Sequence, residues 1–515
     1  MDWLTRLIEM FLGPTKSHRG RDAAASDGLS EASSEPSPAE AGPPSSAAGY
    51  DRLYTPPSTA PTERAPDAAP QNQPQVPPAA APGEAAAPTP DDTGSATIKI
   101  VVTQFKNDRE DGFTNGVIDT LKTASILDVS MKTAPFEDAG EFPAVAKLAA
   151  FQSEAREWLT GLGADIVLHG VVTRTGIRIR LVASLPSAEC RPDTVGLGDT
   201  ILVSHNFGAE MANLIYATVL AVALPVKPDL RQTMAPHLAG AGDRCLKLLE
   251  ALPKGTQAAH LGAIYTCVGV TSANLWRLQS SSTYLSAAVA AFEKANREGP
   301  KEITPLVMAE LKLRHGLALQ ELSAANGDED MFEDALDAFE TVTGGLDPKT
   351  HPREWGLAYL ALGGAYLGRG RKELTAEDCN RAVTAFDAAM RVFSAEKDLR
   401  RWRECMSYKG NALLTLGTIN LGVEELVEAS EIFREVMGAC DRERQPVPWA
   451  QASTALGSAL FAYAKRNRDR DSLNEAIQCF DGALAVYERR NQAVAIGVVR
   501  KNQQRAYRLR ESLEG

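Results

Sequence analysis

The sequence of 515 residues predicts an α/β domain with a mixed sheet, followed by an all-helical repeat solenoid. Two observations support this prediction. Short β-rich runs alternate with helical patterns over residues 96–226, and three residue columns recur every 47 residues from about Tyr265 onward. Alternating strands and helices are typical of α/β domains, whereas a fixed period of this size is typical of solenoids.

Residues 1–13 predict a short amphipathic helix. Its apolar side chains share one helical face and are Trp3, Leu4, Leu7, Ile8 and Phe11. Such a short helix is marginal alone in water, so we expect it to fold on a membrane surface, in a partner's groove or on its own protein. Its mixed charges weaken the membrane alternative, because anionic lipid attracts basic residues.

Residues 14–95 predict a disordered linker. The segment is rich in Ala, Pro, Ser and Gly, and 16 of the chain's 30 prolines lie in the first 95 residues. This composition cannot bury enough apolar surface to offset the chain entropy that folding removes. We therefore expect a semi-extended tether between the helix and the folded body.

Residues 96–226 predict the α/β domain, with its elements in alternation. The predicted strands are 97–105, 127–132, 165–173, 177–184 and 200–207, and the predicted helices are 113–124, 142–162 and 209–224. Residues 174–176 predict a hairpin turn, with Gly176 available for a positive φ. In the strand that follows this turn, Ile177, Ile179 and Leu181 alternate with Arg178 and Arg180.

The segments LGADIVLHG (162–170) and IRIRL (177–181) resemble the amino-terminal domain of the Tol-system protein TolB. They are also similar to the α/β modules that precede repeat arrays in some cyclase-linked bacterial regulators. The resemblance implies an interaction or regulatory module rather than an enzyme. The acidic and aromatic ending of such domains is not found after Ser184.

Residues 230–515 predict the repeat solenoid, in which a unit buries its apolar face by stacking on its neighbours. A glycine column consists of Gly269, Gly316, Gly363, Gly410 and Gly457. An alanine column consists of Ala288, Ala335, Ala382, Ala429 and Ala476, and a phenylalanine column of Phe292, Phe339, Phe386, Phe433 and Phe480. Five helical hairpins are expected, with a half unit near residues 245–252 and a final helix near 494–514 as caps.

The columns resemble the tetratricopeptide repeat, matched best by Tyr359, Leu362, Gly363, Tyr366, Ala382, Phe386 and Ala389. The period exceeds the 34 residues of that family, so longer helices or longer turns must absorb the difference. Polar stretches at 325–330 and 465–470 suit exposed loops. The resemblance implies a peptide-binding groove lined by Glu310, Gln320, Glu404, Asn411 and Gln451. Only Asn411 fits the clamp that relatives use for acidic peptide ends, so carboxylate capture is not expected there.

No sequence motif supports a catalytic, cofactor or metal site. His169 and His205 fall in predicted strands and are interpreted as ordinary strand residues. A basic concentration near the C-terminus is interpreted as a polar cap, with an acidic partner or an anionic membrane as the alternative; it contains Arg489, Arg490, Arg500, Lys501, Arg505, Arg508 and Arg510. Arg400, Arg401 and Arg403, beside Trp402, form a second basic group with the same interpretation.

The net charge of -12 disfavours nucleic acid as a partner, because phosphate attracts basic surfaces. Seven widely spaced cysteines and the lack of a signal-like start favour the cytoplasm, with a peripheral place at the inner face of the membrane as the alternative. The leading hypothesis is a non-enzymatic scaffold that is tethered by its first helix and recruits proteins through its repeats. The alternative is a signalling protein whose α/β domain binds a small molecule. Partner identity and oligomeric state stay open.

Overall fold

The computed structural model describes residues 97–141, 143–185, 190–205, 208–299 and 304–514. The predicted amphipathic helix, with Trp3, Leu4, Leu7, Ile8 and Phe11, lies outside the described residues. The predicted linker does so as well. Both therefore stay predictions.

A five-stranded mixed sheet forms the first part of the described chain, as predicted. Its strands are β1 (Ile98–Thr103), β2 (Leu127–Lys132), β3 (Ile166–Val172), β4 (Ile177–Ala183) and β5 (Ile201–Val203), in the spatial order β2-β1-β3-β4-β5. The first three strands are parallel, and β4 and β5 are antiparallel to their neighbours. β5 has only three residues, so His205 lies in a turn beyond the strand in which it was predicted.

Helices cover both faces of this sheet: α1 (Gly112–Lys122), α2 (Val145–Leu162) and α3 (Ala209–Ala223). α1 and α3 pack on one face, and α2 packs on the other. Because both faces are covered, Arg178 and Arg180 of β4 are buried, although their alternation with isoleucines is typical of a strand with one wet face.

The hairpin between β3 and β4 forms as predicted, and Gly176 has the positive φ expected there, 159°. A Cβ atom at this position would also lie 2.1 Å from the carbonyl oxygen of Val203 in β5. Close packing of the turn against β5 therefore requires glycine here as well.

The remainder of the described chain is a tandem helical solenoid, compatible with tetratricopeptide-like repeats. A single helix, α4 (Arg231–Glu250), precedes five helical hairpins, and α15 (Ala493–Glu514) follows them as the expected terminal helix. Hairpins 1 to 5 are α5–α6 (Leu261–Gln279, Ser282–Glu298), α7–α8 (Pro305–Asn326, Glu329–Gly345), α9–α10 (Pro352–Glu373, Ala376–Met390), α11–α12 (Leu399–Ile419, Glu424–Gly438) and α13–α14 (Pro446–Asn467, Arg470–Arg489).

The glycine and phenylalanine columns meet inside each hairpin. A Cβ atom on Gly269 would lie 2.5 Å from the ring of Phe292, and one on Gly457 would lie 2.8 Å from the ring of Phe480. The intervening hairpins repeat this contact, and all five phenylalanine side chains are fully buried. The repeat thus has a physical cause, because a side chain at the glycine would force the two helices apart.

Longer helices absorb most of the extra length of each repeat. The first helix of hairpin 3, for example, has 22 residues, and only Leu374 and Thr375 separate it from the second helix. Most of residues 325–330 and 465–470 are accordingly helical, and the loops expected there shrink to two-residue turns at 327–328 and 468–469. Four hairpins end their first helix with a residue of positive φ, namely Ser280, Gly327, Leu374 and Arg468.

One apolar core joins the sheet to the start of the solenoid. It runs from Ile98 and Leu168 in the sheet, through Leu220 in α3, to Val268 and Phe292 in hairpin 1. Within the described residues, no single helix is long and apolar enough to cross a membrane, although one pair bent by 120° passes that test by length and composition. The seven cysteines are free thiols, and burial raises the pKa of several of them.

Candidate protein-binding groove

The loop between β4 and β5 crosses from the sheet to the inner surface of the solenoid. Its described part, residues 190–200, is called the strap below. Asn274 in the first helix of hairpin 1 donates a hydrogen bond to the Asp193 carbonyl oxygen at 2.7 Å. Arg314 in the first helix of hairpin 2 donates to the Thr194 carbonyl oxygen at 3.0 Å. The first helices of hairpins 1 and 2 therefore bind main-chain groups of a loop, which belongs to the same molecule.

Arg314 also holds the carboxylate of Asp199 with two hydrogen bonds, one of them 2.8 Å long from Nη2 to Oδ1. The arginine side chain is fully buried, and the Asp199 side chain is 8% exposed. Burial alone would lower the pKa of Arg314, but the Asp199 carboxylate holds it above its ordinary value. A buried pair with this forked geometry fixes the orientation of both groups.

Glu310, one helical turn before Arg314, also binds the strap. Its two carboxylate oxygens accept hydrogen bonds from the Leu197 amide at 2.8 Å and the Gly198 amide at 3.0 Å. A Cβ atom on Gly196 would lie 2.4 Å from the same carboxylate, so glycine is required for this approach. Burial, followed by the nearby Asp199, raises the pKa of Glu310 to about 7.

The first residues of the strap make further contacts. Arg277 of hairpin 1 lies 3.1 Å from the Asp193 carboxylate and 3.5 Å from Glu321 of hairpin 2. At the start of the strap, the thiol of Cys190 donates to the Glu310 carbonyl oxygen at 3.5 Å and packs in the core of hairpins 2 to 4. Burial raises the pKa of this thiol to about 12, so it is a packing group rather than a nucleophile.

The predicted groove residues are placed unequally. Glu310 is 1% exposed and bound to the strap, so it is not free for a partner. Asn411 is 3% exposed and donates to the Ser407 carbonyl oxygen of its own helix. Gln320, Glu404 and Gln451 are half-buried, and Glu404 accepts from Arg401 at 2.6 Å.

Hairpin 2 holds a basic residue beside the predicted groove positions. Arg314 holds a carboxylate there, although that carboxylate belongs to the chain itself. Sequence reasoning missed Arg314, Arg277 and Asn274. The spacing could have identified Arg314, because it follows Glu310 by four residues and so lies on the same helical face.

The inner positions of hairpins 4 and 5 are small and hydroxyl-rich. Thr415, Thr454 and Ser458 are nearly or fully buried. Each donates its hydroxyl hydrogen to the carbonyl oxygen four residues earlier in its own helix, at 2.8 or 2.9 Å. These hydroxyls are thereby satisfied locally, and they offer no charge to a bound segment.

The remaining sequence candidates are structural or exposed. His205 donates from Nε2 to the Thr173 carbonyl oxygen at 2.8 Å and thus holds the β3–β4 turn. At the C-terminus, Arg489, Arg490, Lys501 and Arg508 are exposed, whereas Arg500 pairs with Glu488 at 2.7 Å. Across the described ranges, no group of three or more His, Cys, Asp or Glu side chains has the geometry to hold a metal ion.

Arg510 stacks on Tyr507, and Arg505 is half-buried. The second basic group also makes contacts within the chain, since Arg401 pairs with Glu404 and Arg403 donates to Gln445 at 2.5 Å.

Comparison of the chain with protein-family models gives no match, and neither does comparison with curated proteins. The function must therefore be argued from the groove itself.

Proposed function

We propose that this protein is a non-enzymatic scaffold of the tetratricopeptide type, which recruits protein partners through its repeats. One observation supports the proposal most directly: the first helices of hairpins 1 and 2 already bind a polypeptide loop that contains no helix or strand, the strap. They do so with an amide, a guanidinium and a carboxylate, aimed at main-chain groups and one acidic side chain. A segment of a partner protein can make the same hydrogen bonds, because every polypeptide has the same main-chain groups.

The accessible inner positions lie beyond the strap's strongest contacts. Gln320, Glu404 and Gln451 are half-buried polar side chains on the first helices of hairpins 2, 4 and 5. Amide side chains both donate and accept hydrogen bonds, and so can pair with a partner's main chain. Partner segments accordingly bind at these positions, and at hairpins 1 and 2 where they displace the strap.

The predicted N-terminal helix supplies the tether in this proposal. With Trp3, Leu4, Leu7, Ile8 and Phe11 on one face, it binds a membrane surface or a partner's groove. The protein then acts in the cytoplasm, at the inner face of the membrane if the helix binds lipid. No catalytic step, cofactor or nucleic acid enters the proposal.

The test is affinity capture from the native cell with the full chain as bait. The inner-face variant carries Glu404→Arg and Gln451→Arg. The matched control carries Glu431→Arg and Gln478→Arg, the same residue types at exposed positions on the second helices of hairpins 4 and 5. We expect the inner-face variant to lose proteins that the wild type and the control both retain.

A third bait, without residues 2–12, separates the tether from the repeats. We expect it to change the location of the protein in the cell while it keeps the partners that depend on the inner face. If both double variants capture the same proteins as the wild type, the inner face is not the recruiting surface and the scaffold proposal fails in this form.

A further inference from the structure

The strand order places a topological switch point between β1 and β3. β1 connects through α1 to β2 on one side, and the chain then returns through α2 to β3 on the other side. α1 and α2 lie on opposite faces of the sheet. In open α/β sheets, ligands bind in the crevice at the carboxyl ends of the strands at such a point. In this protein Thr103 ends β1, and His169 is the central residue of β3.

Polar side chains gather at this place under α2. Thr103 Oγ1 lies 3.1 Å from His169 Nδ1, and the neighbouring strand contributes Arg178 and Arg180. All four side chains are nearly or fully buried, the two arginines being 8% and 6% exposed at the side chain. Burial lowers the pKa of His169, so its imidazole is neutral near pH 7.

Their hydrogen-bonding capacity is largely unused. Arg178 Nη2 donates to Asp138 at 2.8 Å, and Arg180 Nη2 donates to the Gly140 carbonyl oxygen at 2.6 Å. Among the described side chains, the buried atoms with no hydrogen-bond partner include Arg178 Nε, Arg180 Nε, Arg180 Nη1 and His169 Nε2. Most buried polar atoms in native proteins are paired, so such a group of unpaired donors indicates a binding site.

Charge leads to the same conclusion. Two buried guanidiniums face one buried carboxylate, that of Asp138, which lies 4.0 Å from Arg180 Nε. At the rim, Lys106 pairs with Glu137 at 3.0 Å, and both side chains are more than half exposed. Both carboxylates belong to one segment, residues 133–141, whereas the three cations belong to the sheet and the β1–α1 loop. If that segment moved away, Lys106, Arg178 and Arg180 would lose these two carboxylates together.

We propose that the switch point between β1 and β3 binds the phosphate group of a small molecule, with Arg178, Arg180 and Lys106 as its ligands in place of the Asp138 and Glu137 carboxylates. A phosphate group carries close to two negative charges at pH 7 and three acceptor oxygens. It therefore matches both guanidiniums, whereas a single carboxylate matches one. This inference goes beyond the scaffold proposal and does not depend on it.

The experiment measures thermal unfolding and calorimetric binding of inorganic phosphate by the full chain. Glycerol 2-phosphate tests a phosphate ester, and acetate at equal ionic strength tests a carboxylate. We expect both phosphates to raise the unfolding temperature more than acetate does. Asp138→Asn removes the competing anion and should tighten phosphate binding about tenfold, the worth of one charge-assisted hydrogen bond.

Two further variants identify the binding groups. Lys106→Gln should weaken phosphate binding several-fold, whereas Lys122→Gln, an exposed lysine at the end of α1, should not change it. Arg180→Lys keeps the charge but loses the forked donors and should weaken binding further. If this buried variant does not fold, phosphate binding by the Asp138→Asn and Lys106→Gln variants tests the proposal without it. Phosphate effects equal to those of acetate, or unchanged by both of these substitutions, would overturn the proposal.

Discussion

Hairpins 2 and 5 have the same backbone design but opposite inner surfaces. In hairpin 2, Glu310 and Arg314 are ionisable, buried and bonded to the strap. In hairpin 5, Gln451 and Ala455 stand at the equivalent positions three periods later, and the neighbouring Thr454 and Ser458 bond their hydroxyls to their own helix. The glycine packs on the phenylalanine ring in the same way in both, because a Cβ atom placed on the glycine would lie 2.6 Å from the ring in hairpin 2 and 2.8 Å from it in hairpin 5.

The difference separates two demands on a repeat. Packing between the helices of a hairpin fixes the glycine and phenylalanine columns, and these repeat without exception. Packing between the two helices does not fix the inner positions, so the residue types there vary with the segment that contacts them. Buried charges occur in hairpin 2 because the strap supplies their partners, and a buried charge without a partner is costly.

Arg314→Leu tests this difference with the largest expected effect. The substitution leaves the Asp199 carboxylate buried without its cation, which should lower the free energy of unfolding by about 3–5 kcal/mol. Urea unfolding measures the change, and hydrogen exchange at the Leu197 and Gly198 amides should accelerate. Thr454→Val in hairpin 5 is the matched comparison and should cost under about 1 kcal/mol. Equal losses in the two hairpins would remove the distinction between them.

Glu310→Gln sharpens the comparison through pH. The folded-state pKa of Glu310 is raised to about 7 from 4.5, so the folded protein keeps a proton that the unfolded chain releases between these values. The stability from this group is fully present below about pH 4.5 and is lost as pH rises through about 7. The loss should amount to up to about 3 kcal/mol.

Urea unfolding of the wild type and Glu310→Gln at several pH values measures this effect. The variant should lack this part of the slope while it keeps the part from Glu321, whose pKa is also raised by burial to about 7. Parallel pH profiles for the two proteins would show that Glu310 does not titrate in this range.

Leu374→Gly has the smallest expected effect and tests the turn of hairpin 3, which lies between the two regions. Leu374 has a φ of 57° and is 59% exposed. The left-handed backbone costs a leucine about 1–2 kcal/mol, and glycine avoids this cost. Glycine also loses more chain entropy on folding, so we expect a net stabilisation of about 0.5–1 kcal/mol. Val427→Gly, at an exposed position inside a helix, should destabilise instead. Differential scanning calorimetry distinguishes the two signs.

Much of the fold was predictable because it follows from local pattern. Strand β2 has the predicted bounds, and the 47-residue columns locate all five hairpins. The two-residue turns were not predicted, because polar residues such as Asn326 and Lys465 occur both at the ends of helices and in loops. Both were interpreted as loop residues, whereas each lies in the last turn of a long helix.

The candidate sites were harder to predict, because they depend on contacts between distant residues. Arg314 looks like an ordinary surface residue until the strap covers it, and nothing local to residues 190–200 indicates where that segment lies. The alternation of Arg178 and Arg180 with isoleucines suggests a solvent-exposed face of the strand, but α2 and residues 133–141, which are distant in sequence, bury both arginines. Alternation identifies the two faces of a strand but does not show what covers them.

The strap's contacts also have a consequence for biosynthesis. Asp199 leaves the ribosome 115 residues before Arg314, which at about 5–20 residues per second means a delay on the order of ten seconds. The strap belongs to the same chain as Arg314, so its effective concentration at hairpins 1 and 2 does not depend on the concentration of any other protein. A segment of another protein must therefore displace contacts that are intramolecular.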